Sequence, residues 1–209
     1  YGEASEADIY FVGAGAQNTI EALADKATVT FVGAGVENTI FVQSDNGLID
    51  FAGGGASNVL DVRAQTDDSP GSVARVVFTG AGGSNIINAE AAHADIQFRG
   101  AGAYNELVAV GMGADGTAKV DFAGVGAYNV IDVIADQGTV LFDGAGAYNE
   151  IYLETRDGSV TFNGAGAANI VELLEKKDIV LVEVTPEPEP EQTGGSFKKI
   201  VNKILQTAP

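Results

Sequence analysis

Apolar and polar residues alternate with a period of two along most of this chain, and the alternating pattern itself recurs every 20 residues. With the Phe of each recurrence as origin, the position two residues earlier holds Ile9, Val29, Ile49, Val76, Ile96, Val120, Val140 and Val160. All are β-branched, as strands favour. Nine residues after the Phe stand Ile20, Ile40, Leu60, Ile87, Leu107, Ile131, Ile151 and Val171. Eleven after it stand Ala22, Val42, Val62, Ala89, Ala109, Val133, Leu153 and Leu173. With the Phe, these columns define an inward face. The residues between them are mixed, for example Tyr10, Thr30, Asp50, Gln97 and Asp121 just before the Phe, which is the outward half of a strand. Each unit is expected to run strand, turn, strand, turn.

The first turn carries a fixed phrase, F-x-G-x-G-x-x-N-x-aliphatic, beginning at Phe11, Phe31, Phe51, Phe78, Phe98, Phe122, Phe142 and Phe162. The spacings are 20, 20, 27, 20, 24, 20 and 20, so the unit is 20 residues with insertions of seven and four. Both insertions, around Gln65 to Gly71 and Gly111 to Gly116, fall in the same half of the unit, which maps them to loops on one edge. The second turn carries Asp45-Asn46-Gly47, Asp136-Gln137-Gly138 and Asp157-Gly158, read as ordinary turn chemistry. Two short strands cannot bury a Phe and three aliphatic side chains alone, so neighbouring units must stack on one shared core. The expected fold is all-β, a parallel β-solenoid or β-roll of about eight 20-residue coils, roughly 40 Å long at ~4.8 Å per coil. Ile179 to Val182 keeps the alternation without the glycine phrase, which predicts a final half coil with Val180 and Val182 inward.

The eight Asn of the phrase, Asn18, Asn38, Asn58, Asn85, Asn105, Asn129, Asn149 and Asn169, admit two structural readings. Asn tolerates a left-handed backbone and bonds its own chain; alternatively, stacked Asn amides form a ladder from coil to coil. The paired Gly are expected to supply positive φ at a sharp turn. The phrase shares part of a dinucleotide-binding fingerprint, but no helix follows it and it occurs eight times, so nucleotide binding is set aside.

Composition narrows the chemistry. There is no Cys and one His, which removes disulfides, thiol nucleophiles, Cys-based zinc sites and His-rich metal sites. His93 is expected in a solvated turn, and the carboxylates scatter without forming a catalytic pair. No catalytic or metal-ligating residues are assigned, and the chain reads as no enzyme. Calcium is raised by the acidic, Gly-rich repeat, yet the turns place a neutral Asn where a calcium-binding β-roll has Asp, so no repeat-wide cofactor is expected, with a stray calcium ion on loop acids such as Asp67-Asp68 left as the alternative. The formal charge of -18 repels phosphate backbones and speaks against nucleic acid as a partner. Tyr104, Tyr128 and Tyr148 precede the Asn in three consecutive coils, giving a candidate surface stripe for a sugar or protein, or an edge stack shielding the turns.

Three regions follow: residues 1–182 as the glycine-rich solenoid, 183–195 as a Pro/Glu linker, and 196–209 as a basic amphipathic helix. In the last, Phe197, Ile200, Val201, Ile204 and Leu205 recur at helical spacing, with Ser196 as N-cap. Residues 1–182 carry 8 basic and 25 acidic side chains, whereas all three basic residues beyond them, Lys198, Lys199 and Lys203, lie in the helical segment. That segment reads as the first helix of a following domain, a cover for the solenoid's end, or a docking helix for a membrane surface or a partner. The chain opens at Tyr1 with no signal-like segment, and is expected to be part of something longer. No apolar run reaches the ~20 residues of a spanning helix.

Phe142-Asp143-Gly144-Ala145-Gly146-Ala147-Tyr148-Asn149-Glu150-Ile151 and its seven siblings resemble the roughly 20-residue glycine-rich repeats of the multifunctional-autoprocessing repeats-in-toxin (MARTX) proteins of Gram-negative bacteria. The resemblance covers residues 9–182. It implies a secreted, extracellular repeat module of a virulence toxin that aids translocation of effector domains across the host membrane. Its partners would be that membrane, neighbouring repeats, or effector domains of the same chain, with end-to-end self-association as a further expectation. The protease residues and calcium nonapeptides of RTX-type chains are absent from residues 1–209. The reading from a different class is an extracellular adhesin, a surface-, ice- or glycan-binding β-solenoid; a third is an enzyme built on loop acids.

Overall fold

The computed structural model describes residues 4–65, 70–163, 166, 168–175 and 179–183. Fourteen strands, all paired in parallel, form one continuous sheet that winds on itself as a β-solenoid of about eight coils. Strands β1 (Ala4–Val12), β4 (Asn46–Ala52), β6 (Val73–Ala81), β8 (His93–Ala101) and β10 (Thr117–Phe122) belong to one layer, which carries the Phe. β3 (Thr39–Gln43), β5 (Val59–Arg63), β7 (Ile86–Ala91), β9 (Glu106–Gly111) and β13 (Ile170–Glu175) form the opposite, aliphatic layer. Three long strands, β2 (Thr19–Val32), β11 (Val130–Phe142) and β12 (Glu150–Phe162), pass from the aliphatic layer to the Phe layer without losing their partners. A last strand, β14 (Ile179–Glu183), pairs with the second half of β12.

The repeat sets the register. Phe51 pairs with Phe78 across the seven-residue insertion and Phe98 with Phe122 across the four-residue one, because both insertions sit at the corner between an aliphatic-layer strand and the next Phe-layer strand. Any one-residue slip would turn every core residue outward. The Phe rings from Phe11 to Phe162 form one unbroken stack, with centroids 4.8–5.2 Å apart and planes within 12° of parallel. Ile49, Ile40, Leu60, Ile87, Ile96 and Leu107 are sealed completely around them; each such side chain contributes about 1.5–3 kcal/mol of apolar burial. In the first coil Ile9, Phe11 and Ile20 are covered from one side only and stay half-buried.

Three details depart from the expected turns. First, the paired Gly are demanded mainly by close approach between coils. A Cβ on Gly53 would overlap the carbonyl oxygen of Gly33, and one on Gly55 that of Gly35. Positive φ accompanies this at Gly33 (+154°) and Gly82 (+158°). Secondly, Asp136-Gln137-Gly138 and Asp157-Gly158 are not turns but lie inside β11 and β12. The corner is so narrow that a Cβ on Gly47, Gly138 or Gly158 would strike Val62, Leu153 or Thr155. Small residues are needed there for room. Thirdly, β14 is set one residue later than the repeat predicts: Leu181, not Val180, stands opposite Val160, and Val182 stands opposite Thr161. β13 pairs at the 20-residue offset, and residues 176–178 between it and β14 lie outside the described residues. The linker 183–195 beyond Glu183 and the segment 196–209 also lie outside them.

Candidate functional site

The Asn column is the best-ordered polar feature of the core. From Asn38 onward each Asn side-chain oxygen accepts two bonds from the preceding coil's Asn, one from its backbone N–H and one from its Nδ2. The Nδ2–Oδ1 distances from Asn18 through Asn169 run from 2.7 to 2.9 Å. Asn38, Asn58, Asn85, Asn105, Asn129 and Asn149 are fully buried, Asn169 nearly so, and Asn18 half-buried. A buried amide without partners would be costly; here each supplies the next coil's need. Of the two readings of Asn, the ladder is what the structure contains. The left-handed residue is the one before it: Gln17, Glu37, Ser57, Ser84, Tyr104, Tyr128, Tyr148 and Ala168 all have φ between +58° and +62°. The sequence gives no sign of this, because those side chains share no chemistry.

Tyr104, Tyr128 and Tyr148 therefore project from strained, exposed positions. Their rings stack at 5.1 Å within 6° of parallel, so the stripe presents ring edges and hydroxyls, with free ring faces only at its two ends. Beside this corner a shallow open groove runs between two coils over Ala123, Gly124, Val125, Asp143 and Gly144. His93 is exposed at the start of β8, not in a turn, and its Nδ1 lies 2.9 Å from the Thr117 hydroxyl of the next coil. Among the described residues no three His, Cys, Asp or Glu side chains converge as a metal site.

Charge is arranged by face. Arg75 pairs with Asp95 and Arg99 with Asp121 on the Phe layer, Arg63 with Asp61 on the aliphatic layer, and Arg156 with Asp136 and Lys26 with Glu6 near the corner. The outward aliphatic layer of the last four coils is different. Its first column reads Glu106, Val130, Glu150, Ile170; its second Val108, Asp132, Tyr152, Glu172; its third Val110, Ile134, Glu154, Leu174. These twelve positions hold five acids, seven apolar residues and no cation. Ile134, Ile170 and Leu174 are exposed. Asp132 sits among apolar neighbours, and that burial, reinforced by the charges of Glu154 and Glu106, raises its carboxyl pKa above the ordinary value. The Tyr152 hydroxyl donates to Glu150 Oε2 at 2.7 Å, which raises the pKa of the phenol. Reading the inward columns hides this surface; the signal lay in the outward columns between them.

Comparison with protein-family models, with curated proteins and with solved structures finds no match. Among the described residues no helix is long and apolar enough to cross a membrane, which says nothing of strands.

Proposed function

We propose that this chain is a non-enzymatic structural repeat module of a large secreted bacterial toxin, a rod that helps deliver effector domains across a host membrane. One observation carries the reading: the residues of the repeated phrase are engaged in holding coil to coil. Phe stacks on Phe, Asn bonds Asn, and Gly admits the neighbouring backbone, so the chemistry repeated in every unit is used internally. The resemblance of the phrase to MARTX glycine-rich repeats supplies the biological setting. Release of a trapped dye from liposomes by the purified chain, or conductance across a planar bilayer, is the expected result. An intact, impermeable membrane at saturating protein removes the membrane role.

The exposed Tyr104–Tyr128–Tyr148 stack favours a second reading, an extracellular adhesin or glycan-binding solenoid. Ring edges and hydroxyls at a regular spacing suit a repeating polar polymer better than a single stacked sugar ring. Glycan-array binding lost in Tyr128→Ala, without any membrane effect, would give that reading precedence.

A further inference from the structure

The acidic and apolar face of the last four coils is a large surface without a cation, and the same chain carries a segment of complementary chemistry. In segment 196–209, Phe197, Ile200, Val201, Ile204 and Leu205 recur at helical spacing, with Lys198, Lys199 and Lys203 between them in sequence. We propose that the outward aliphatic layer of the last four coils is the docking site of the chain's own residues 196–209, bound as a basic amphipathic helix.

Dimensions agree with this. The face spans five strand residues, roughly 16 Å, by four strands, roughly 15 Å. The apolar stretch from Phe197 to Leu205 is ~13 Å long as a helix. Twelve residues separate Glu183 from Ser196, a covalent reach of up to ~40 Å, enough to pass from β14 on the Phe layer around the edge of a rod whose layers are ~10 Å apart. Charge agrees too. Within these twelve positions Glu106, Asp132, Glu150, Glu154 and Glu172 have no Lys or Arg; the next outward residue of β12, Arg156, is paired with Asp136 at the corner, and three lysines over the face would offset the charges of Glu154 and Glu106 beside Asp132. Ile134, Ile170 and Leu174, exposed in the described fold, would be covered by the helix stripe. The proposal concerns an intramolecular contact in solution and does not rest on the membrane reading above.

The chain contains no Cys, so an engineered pair reports proximity cleanly. In the full chain, Val130→Cys on the face is combined with Val201→Cys in the segment; the control combines Val201→Cys with Thr139→Cys, exposed on the Phe layer. Mild oxidation without lipid is expected to form the intramolecular disulfide of the first pair at least ~10-fold faster than that of the control, reflecting a raised local concentration. Lys198→Glu, Lys199→Glu and Lys203→Glu together should bring that rate down to the control value. Far-UV circular dichroism of each variant confirms that the β fold is retained. Equal rates for the two pairs overturn the proposal, as does cross-linking only between molecules with a yield that rises with concentration, which would give the face to a second copy.

Discussion

A buried amide in this core is both donor and acceptor in one chain of bonds, so its worth depends on where in the chain it stands. Asn105 accepts from Asn85 through both the backbone N–H and Nδ2, and donates to Asn129. Truncation to Ala leaves the Asn85 backbone N–H and the Asn129 oxygen short of partners in a fully buried setting. Asn18 is half-buried in the first coil and only donates, to Asn38. Asn105→Ala should therefore destabilise by about 3 kcal/mol, and Asn18→Ala by about 1 kcal/mol. Urea titration of both variants checks the contrast; equal losses would mean that the ladder does not act through buried unsatisfied groups. The Asn identity was visible in the sequence, and so was the ladder as one of two alternatives. What selected it is the left-handed turn one residue earlier, at positions as unlike as Glu37, Tyr128 and Ala168. A backbone geometry tolerated by eight different contexts leaves no residue type behind to be read.

The strands were legible because their inward columns are apolar on every pass, and β-branched or aromatic in the two columns of the Phe layer. Their corners were not. Gly138 and Gly158 look like turn residues in sequence, yet they stand in extended strand because Leu153 and Thr155 fill the space a Cβ would need. The aliphatic-layer strands also carry information on their outer side that the inward pattern masks. Asp132 is the clearest case. Its carboxyl pKa is raised above 3.8 by burial among apolar neighbours and by Glu154 and Glu106. A carboxyl whose folded pKa lies above its unfolded one opposes folding when ionised, so the penalty is fully present above the folded pKa and disappears below the unfolded one. Asp132→Asn should raise the melting temperature by a small amount at pH 7, and the gain should vanish as the pH falls below about 3.9. Three lysines docked over the face would lessen this effect without cancelling five carboxylates. A loss of stability at pH 7 would show that Asp132 is held by partners that favour its charge, and a gain that persists in acid would show that the gain does not arise from its ionisation.

At the scale of the whole rod, stability is a sum over neighbouring coils. Almost every contact of a given coil is with the one before or after it: Phe31 stacks on Phe11 and Phe51, Asn38 bonds Asn18 and Asn58, and the strands pair at an offset of one unit. Such a quasi-one-dimensional array should tolerate removal of one whole period. Deleting residues 31–50 joins Thr30 to Phe51 and brings together equivalents already matched in type: Phe11 meets Phe51, Asn18 meets Asn58, and Ile20 meets Leu60. The shortened chain should keep its β circular dichroism and melt cooperatively, a few degrees lower, having lost one inter-coil interface. Deleting residues 31–40 removes half a period. It joins Thr30 of the Phe layer directly to Phe41 of the aliphatic layer and takes away Gly33, Gly35 and Asn38, so the chain cannot return across the rod. That variant should lose the cooperative transition of the intact array, leaving the coils after the deletion to fold without the first. Equal melting curves for the two deletions would contradict a solenoid whose stability resides in period-matched neighbours.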